Sequence, residues 1–352
     1  MCFLCITMRH GGRQKRVRSD YETQLTQNIM LKKKNDGSPY SEKSVETFVN
    51  NIQKLSKMFL GKNEVFTHIK FLEDPKKVID AINSYKNTNG YEYSVQSKWV
   101  MIQSIIICMN VEGYGEEYLK PYWEQRDLLR DMKENKVASG ETYNTSTSNN
   151  QQDVLMNMTC DDIHKCIDKL NESKSLKDKT CAMILQIHTE FPFRNDLADV
   201  KMAMKGDYEG AVKTGDDKLY NWLIWSKDGY KFVLNKFKTQ KRYGMIVGDV
   251  KNKKTTDMLD KFIDDNVNAG EYLFKKDNGE PYTRNNISVL LTTTTKKHLG
   301  KPISTTLLAK MFDDTPNDYK EWTMKDVIRN KELSMLRGHQ PSTRITYYKR
   351  AS

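Results

Sequence analysis

The chain has 352 residues, 38% of them hydrophobic, which is enough for two ordinary domains each burying its own core. Its 57 basic against 46 acidic side chains leave a net charge of +11 and a pI near 9.1, a balance that suggests a polyanionic partner, nucleic acid ahead of an anionic membrane, although many merely soluble proteins are basic too. Six cysteines, at 2, 5, 108, 160, 166 and 181, form no disulfide framework in a chain this size, and no stretch approaches the roughly eighteen apolar residues of a membrane span. The expectation is a soluble, intracellular protein kept in a reducing compartment.

The N-terminal Met1-Cys2-Phe3-Leu4-Cys5-Ile6-Thr7-Met8 is apolar but lacks a leading positive charge and a small-residue cleavage site. Cys2 and Cys5 are a lone pair with no second pair of ligands nearby, so no metal is expected there. Arg13, Lys15, Arg16 and Arg18 follow in a basic run, with Lys32-Lys33-Lys34 further on. Such a run suits an arm on a phosphate backbone or a nuclear-import signal, and equally a solvated tail.

From Ser41 the pattern turns helical. Ser41 is a capping residue, and Val45, Phe48, Val49, Ile52, Leu55 and Phe59 recur at helical spacing until Gly61. Asp74-Pro75, a cap followed by a first-turn proline, opens a second helix that buries Val78, Ile79 and Ile82. A third runs from about Ser94 to Met109, and a polar fourth covers Glu116 to Lys133. The stretch from Ser139 to Gln152 is polar and of low complexity, which reads as a linker.

Order resumes near Val154. Thr159 caps a helix through Leu170, and another runs from Leu176 to Glu190. Strand-like stretches follow at 220–225, 231–234 and 243–247, and helices return from Thr255, broken at Gly270, Asn278-Gly279, Gly300-Lys301-Pro302 and 313–317. The fold class expected is mostly α with a small antiparallel sheet. Cys160, His164 and Cys166 share one helix at spacings that put three ligands on one face poorly, so no metal site is expected there either.

The chemistry concentrates in four places. Phe191-Pro192-Phe193-Arg194-Asn195-Asp196 sets an arginine in a tight turn after a helix. Lys238-Thr239-Gln240-Lys241-Arg242 is a basic hairpin loop, with Lys236 just before it. Ile303 to Phe312 includes Thr306, Ala309 and Lys310. Finally, Leu336-Arg337-Gly338-His339 is followed nine residues later by Tyr348, with Tyr347 beside it. In this order the four segments resemble the tyrosine recombinases, or phage-type integrases, over about Val154 to Ser352. The N-terminal helices resemble that family only as a plausible DNA-clamping partner.

The resemblance implies an enzyme that cuts and rejoins double-stranded DNA through a 3′-phosphotyrosyl intermediate, with no metal, ATP or other cofactor. It implies Arg194 as a phosphate-binding arginine supported by Asp196. Lys238 would protonate the departing 5′ oxygen, with Lys241 and Lys236 as alternatives, and His339 would hydrogen-bond the phosphate. Tyr348 would be the nucleophile on spacing; aligning Ser342-Thr343 with the family's Ser-Thr favours Tyr347. Arg13, Lys15, Arg16, Arg18, Lys241 and Arg242 would contact DNA. The family's H-x-x-R box is degenerate here, with Thr306 at the histidine and Ala309 at the second arginine. Lys310 reaching in, Arg329 or another arginine substituting from elsewhere, or a crippled site are the three accounts open.

The implied organisation is a basic arm (1–37), a helical DNA-clamping domain (38–135), a linker (136–153) and a catalytic domain (154–352), assembling as a homo-tetramer on DNA with no membrane. Its setting would be the host nucleus or a cytoplasmic viral replication site; the Lys- and Asn-rich, Pro-poor composition suggests an AT-rich virus or mobile element. The rivals are a type IB topoisomerase-like enzyme and a cleavage-defective DNA-binding protein on the same fold.

Overall fold

The structure is a computed structural model describing residues 18–34, 37–61, 66–86, 90, 92–138, 149–313 and 322–341. The chain folds as two compact units, Met1–Thr142 and Tyr143–Ser352. Among the described residues, no helix is long and apolar enough to cross a membrane.

Among the described residues of the first unit the α-helices are α1 (Asp20–Leu31), α2 (Glu42–Phe59), α3 (Pro75–Ser84), α4 (Val95–Val111) and α5 (Glu116–Ala138). Local signals start these helices. Ser41 accepts a hydrogen bond from the Ser44 amide, Asp74 from the Lys77 amide ahead of Pro75, and Ser94 from the Ser97 amide. Val45, Val49, Ile52 and Leu55 of α2 pack with Ile102, Ile105 and Met109 of α4 in one core. Within it the Asn51 amide donates to the Ser104 hydroxyl at 3.0 Å, and the Tyr122 hydroxyl donates to the Leu72 carbonyl at 2.7 Å, so these buried polar groups are satisfied. Residues 20–31, inside the span read as a basic arm, form α1, closed by a capping box between Ser19 and Glu22 and burying Leu25 and Ile29 in that core.

The second unit carries α6 (Asn149–Asn157), α7 (Cys160–Asn171), α8 (Leu176–Glu190), β1 (Val200–Met204), α9 (Lys205–Thr214), β2 (Asn221–Ser226), β3 (Gly229–Leu234), α10 (Gln240–Tyr243), β4 (Ile246–Asp249), α11 (Lys253–Asn266), α12 (Arg284–Leu299), α13 (Thr305–Met311) and α14 (Met324–Leu336). Its sheet runs β1-β2-β3-β4. The expected antiparallel pairing holds for β2-β3 and β3-β4, whereas β1 joins β2 in parallel, so the sheet is mixed. A crossover through α9 separates β1 from β2, as a parallel pair requires. The free side of β1 is partly covered by residues 270–273: the Met202 amide donates to the Glu271 carbonyl and the Leu273 amide to the Val200 carbonyl, both at 2.8 Å. The loop expected between two strands at 238–241 instead opens a short helix, α10.

The core of this unit lies between the inner sheet face and α7, α8, α11, α12 and α13, with Phe193, Phe232, Leu259, Leu291 and Leu308 fully buried. Cys160, His164 and Cys166 are used in packing: the Cys160 thiol donates to the Met311 carbonyl at 3.2 Å, and the His164 ring meets Phe312 edge-on. No group of three metal-ligating side chains occurs among the described residues.

Candidate active site

Three segments distant in sequence meet on the second unit. The first is the turn after α8. The Phe191 and Phe193 rings stack at 5.0 Å, and both meet Phe232 of β3 edge-on at 5.5 Å. This aromatic triad locks the turn, with the two rings committed to the core, and leaves Arg194 half-buried at its end. Beyond Arg194 a 3-10 turn, Asn195–Asp199, is anchored to α12 and α13. The Asn195 amide donates to the Ser288 hydroxyl at 2.7 Å, and its carbonyl oxygen accepts from the Thr305 hydroxyl at 2.8 Å. Asp196, 5% exposed, pairs with Arg284 at 2.5 Å, so its support of the loop runs through α12; burial raises its carboxyl pKa, opposed by Arg284.

The second segment leaves β3. Asn221, fully buried, joins it to the first. Its amide donates to the carbonyl of Asp196, a carboxylate oxygen of Asp199 and the carbonyl of Lys236, each at 3.1 Å. Its carbonyl oxygen accepts from the amides of Asn235 at 2.9 Å and Lys236 at 2.7 Å. One side chain thus fixes the spacing between the Arg194 turn and the strand end that leads to Lys238. Lys238, Lys241 and Arg242 are exposed, with Arg242 lying over the Tyr243 ring.

The third segment ends α14. Gly338 takes a left-handed φ of +63°, and its carbonyl accepts from the Thr239 hydroxyl at 2.8 Å. A Cβ on Gly338 would lie 2.6 Å from that hydroxyl and 3.0 Å from the Phe237 ring, so the Lys238-bearing loop closes directly on the Gly-His turn.

His339 follows, and its Nε2 is hydrogen-bonded to the Arg194 guanidinium. An arginine can only donate, so Nε2 accepts and the ring proton sits on Nδ1. Burial, then the charges of Arg194, Arg337 and Lys238, push the His339 pKa down to about 3, which keeps the imidazole neutral at physiological pH. Arg194, His339 and the Lys238 loop are therefore brought together, with one guanidinium nitrogen of Arg194, Nη1, buried and without a hydrogen-bond partner among the described residues.

The degenerate box lies behind this cluster. Thr306 accepts from Arg337 Nη2 at 3.1 Å, and Ala309 is buried. Lys310 is 1% exposed, and burial followed by Arg337 lowers its pKa to about 8. It belongs to the interior. Arg329 keeps a loose pair with Glu332 at 4.0 Å and lines a small cavity with Ala309 and Arg337. Arg337, named in the sequence only as part of the Gly-His run, is 5% exposed and donates to the carbonyls of Pro192 at 2.7 Å and Phe193 at 3.2 Å. The sequence reading missed both Arg337 and Asn221.

Tyr347 and Tyr348, together with Cys2, Cys5, Arg13, Lys15 and Arg16, lie outside the described residues. Arg18 is turned inward, donating to the Thr26 hydroxyl at 3.2 Å and pairing with Glu46 at 3.8 Å. On the first unit, Lys32, Lys33, Lys34 and Arg126 edge a groove lined with Tyr40, Phe48, Trp99 and Trp123.

These features define an α+β chain with a small mixed sheet, whose second unit carries a cationic site around a neutral histidine. No family model matches the sequence, and neither does any curated protein. Among solved structures, the chain is similar over 94% of its length to a XerA recombinase (94% of that chain, 12% identity, TM-score 0.36). It is also similar over 86% of its length to the Tn1549 transposon integrase in complex with transposon right-end DNA (95% of that chain, 14% identity, TM-score 0.39). Similarity this remote carries no functional weight.

Proposed function

We propose that the chain is a DNA strand transferase of the tyrosine-recombinase type, cutting and rejoining double-stranded DNA through a 3′-phosphotyrosyl bond. The observation that carries the reading is the hydrogen bond between Arg194 and His339, two residues 145 apart in sequence, against the loop that holds Lys238. A phosphodiester needs fixed donors around its charge, and this cluster supplies a guanidinium, a neutral imidazole and an ammonium. Arg194 holds the non-bridging oxygens. With its proton on Nδ1 and Nε2 turned to Arg194, His339 orients that guanidinium, and a ring rotation or tautomer change lets it donate to the phosphate. Lys238 protonates the 5′ oxygen as Tyr348 attacks; the freed hydroxyl, or one from a second duplex, reverses the step, so bond energy is conserved and no ATP is needed.

Roles for the two units follow: 38–135 clamps duplex, 154–352 carries out the chemistry, and four copies act on paired sites, in the nucleus or at a cytoplasmic viral replication site. Buried Ala309 favours a second reading, a DNA-binding protein that no longer cuts, because the absence of one phosphate donor typically costs about 10²–10³ in rate. A nicked suicide duplex separates the two. The enzyme is trapped as an SDS-stable protein–DNA adduct, absent in Tyr348→Phe and retained in Tyr347→Phe. An adduct surviving in both single variants refutes the nucleophile, and no adduct on any duplex favours the binding protein. Strand exchange between duplexes, against relaxation of supercoils alone, distinguishes a recombinase from a type IB topoisomerase.

A further inference from the structure

Ala309 occupies the position where the resemblance puts a second arginine, yet a guanidinium is present within the same layer of the fold. It arrives from the end of α14. Arg337 spans three segments, with Nη1 on the carbonyls of Pro192 and Phe193 and Nη2 on the hydroxyl of Thr306. Thr306 and Ala309 are three apart on α13 and so share a helix face. Ala309 and Arg337 line one cavity of about 20 Å³, room for about a single water. That space is far smaller than an arginine side chain and Arg337 already borders it, so guanidinium groups at 309 and 337 would compete for it.

We propose that Arg337 is a positioning residue that replaces the arginine missing at 309: it fixes the turn that aims Arg194 and requires a small, neutral neighbour at 309. Its hydrogen bonds end on the carbonyl of Phe193, one residue before Arg194, so it acts on the phosphate site through the backbone. Lysine cannot reproduce this. A guanidinium serves Pro192, Phe193 and Thr306 at once from a planar fork, whereas an ammonium on a flexible stem has no such geometry. The same packing explains why Lys310 and Arg329 are poor substitutes: one is interior, and the other is more than a third exposed and paired with Glu332.

The effect on rate rests on the strand-transferase reading, while the coupling between 309 and 337 does not, and the experiment keeps them apart. Single-turnover adduct formation at saturating DNA, duplex affinity and urea midpoints are measured for the parent chain, Ala309→Arg, Arg337→Lys and the double variant. Arg337→Lys is expected to slow adduct formation by about 10²-fold while duplex Kd stays within about threefold. Ala309→Arg slows it as well, and the double variant is no worse than the poorer single, a departure from additivity of about tenfold or more. Should Arg337→Lys fail to fold, Thr306→Val removes one acceptor alone and takes its place in the cycle. The proposal is overturned if Ala309→Arg speeds adduct formation while Arg337→Lys leaves it unchanged, or if the two effects multiply independently. If the parent chain forms no adduct, the strand-transferase reading fails, and the urea midpoints decide this one: coupled shifts uphold it and additive shifts overturn it.

Discussion

Asn221 shows how much of the site depends on residues that do no chemistry. Its amide nitrogen faces three oxygen acceptors and its amide oxygen two backbone donors, with the side chain wholly excluded from solvent. Only an amide offers both polarities in that volume. Asn221→Asp keeps the shape but turns an oxygen toward the acceptors, beside the Asp199 carboxylate, and is expected to cost about 3 kcal/mol or more of unfolding free energy. A urea titration showing a loss under about 1 kcal/mol would mean the hub is dispensable. The two histidines with lowered pKa give a second test at this scale. His188, pushed down to about 4 by burial and by Arg337 against the opposing effect of its hydrogen bond to the Ile184 carbonyl, and His339, at about 3, both bind protons more readily unfolded than folded. Stability from these groups is present above the unfolded value of about 6.5 and falls as pH drops toward 4. Asp196, with a raised carboxyl pKa, works in the opposite direction. The urea midpoint should decline between pH 6.5 and 4, and the decline should be shallower in His188→Gln; an equal slope in both proteins would remove His188 as a cause.

Among the elements, legibility in sequence followed the range of the interactions that make them. α2, α3, α4 and α7 start within a residue of expectation because Ser41, Asp74-Pro75, Ser94 and Thr159 carry the cap in their own side chains. β1 was not anticipated. Val200–Met204 is five residues long with a lysine in it, and its partners are β2, reached through α9, and the 270–273 segment, neither of them local. α1 was hidden for a different reason: its mostly polar sequence buries only Glu22, Leu25 and Ile29, too few positions for a periodic signal. At the site, the Arg194 turn, the Lys238 loop and the Gly-His turn were legible because each is a contiguous motif. Arg337 and Asn221 were not, since basic and amide side chains look like surface until the fold supplies the carbonyls they bridge. A cluster of backbone carbonyls has no residue-type signature.

At the scale of the whole molecule, charge is the property with a measurable consequence. The surplus of +11 is displayed on both units. Lys32, Lys33 and Lys34 edge the aromatic groove of the first, and Lys238, Lys241 and Arg242 stand exposed on the second. If one duplex is gripped by both, each cation on a phosphate releases condensed counterions, and log Kd varies with log salt by roughly 0.9 per phosphate neutralised. Replacing Lys32, Lys33 and Lys34 with alanine should then reduce that slope by about 2–3, affecting all sequences alike, because phosphate contacts carry no base information. Lys241→Ala with Arg242→Ala should reduce it by about 2 more, and the two losses should add if the two sets of cations contact separate phosphates. Fluorescence anisotropy over 50–300 mM salt, a range of about sixfold around physiological strength, measures the slope directly. A first-unit triple variant with an unaltered slope would show that the groove lysines touch no phosphate, leaving the second unit to hold DNA by itself.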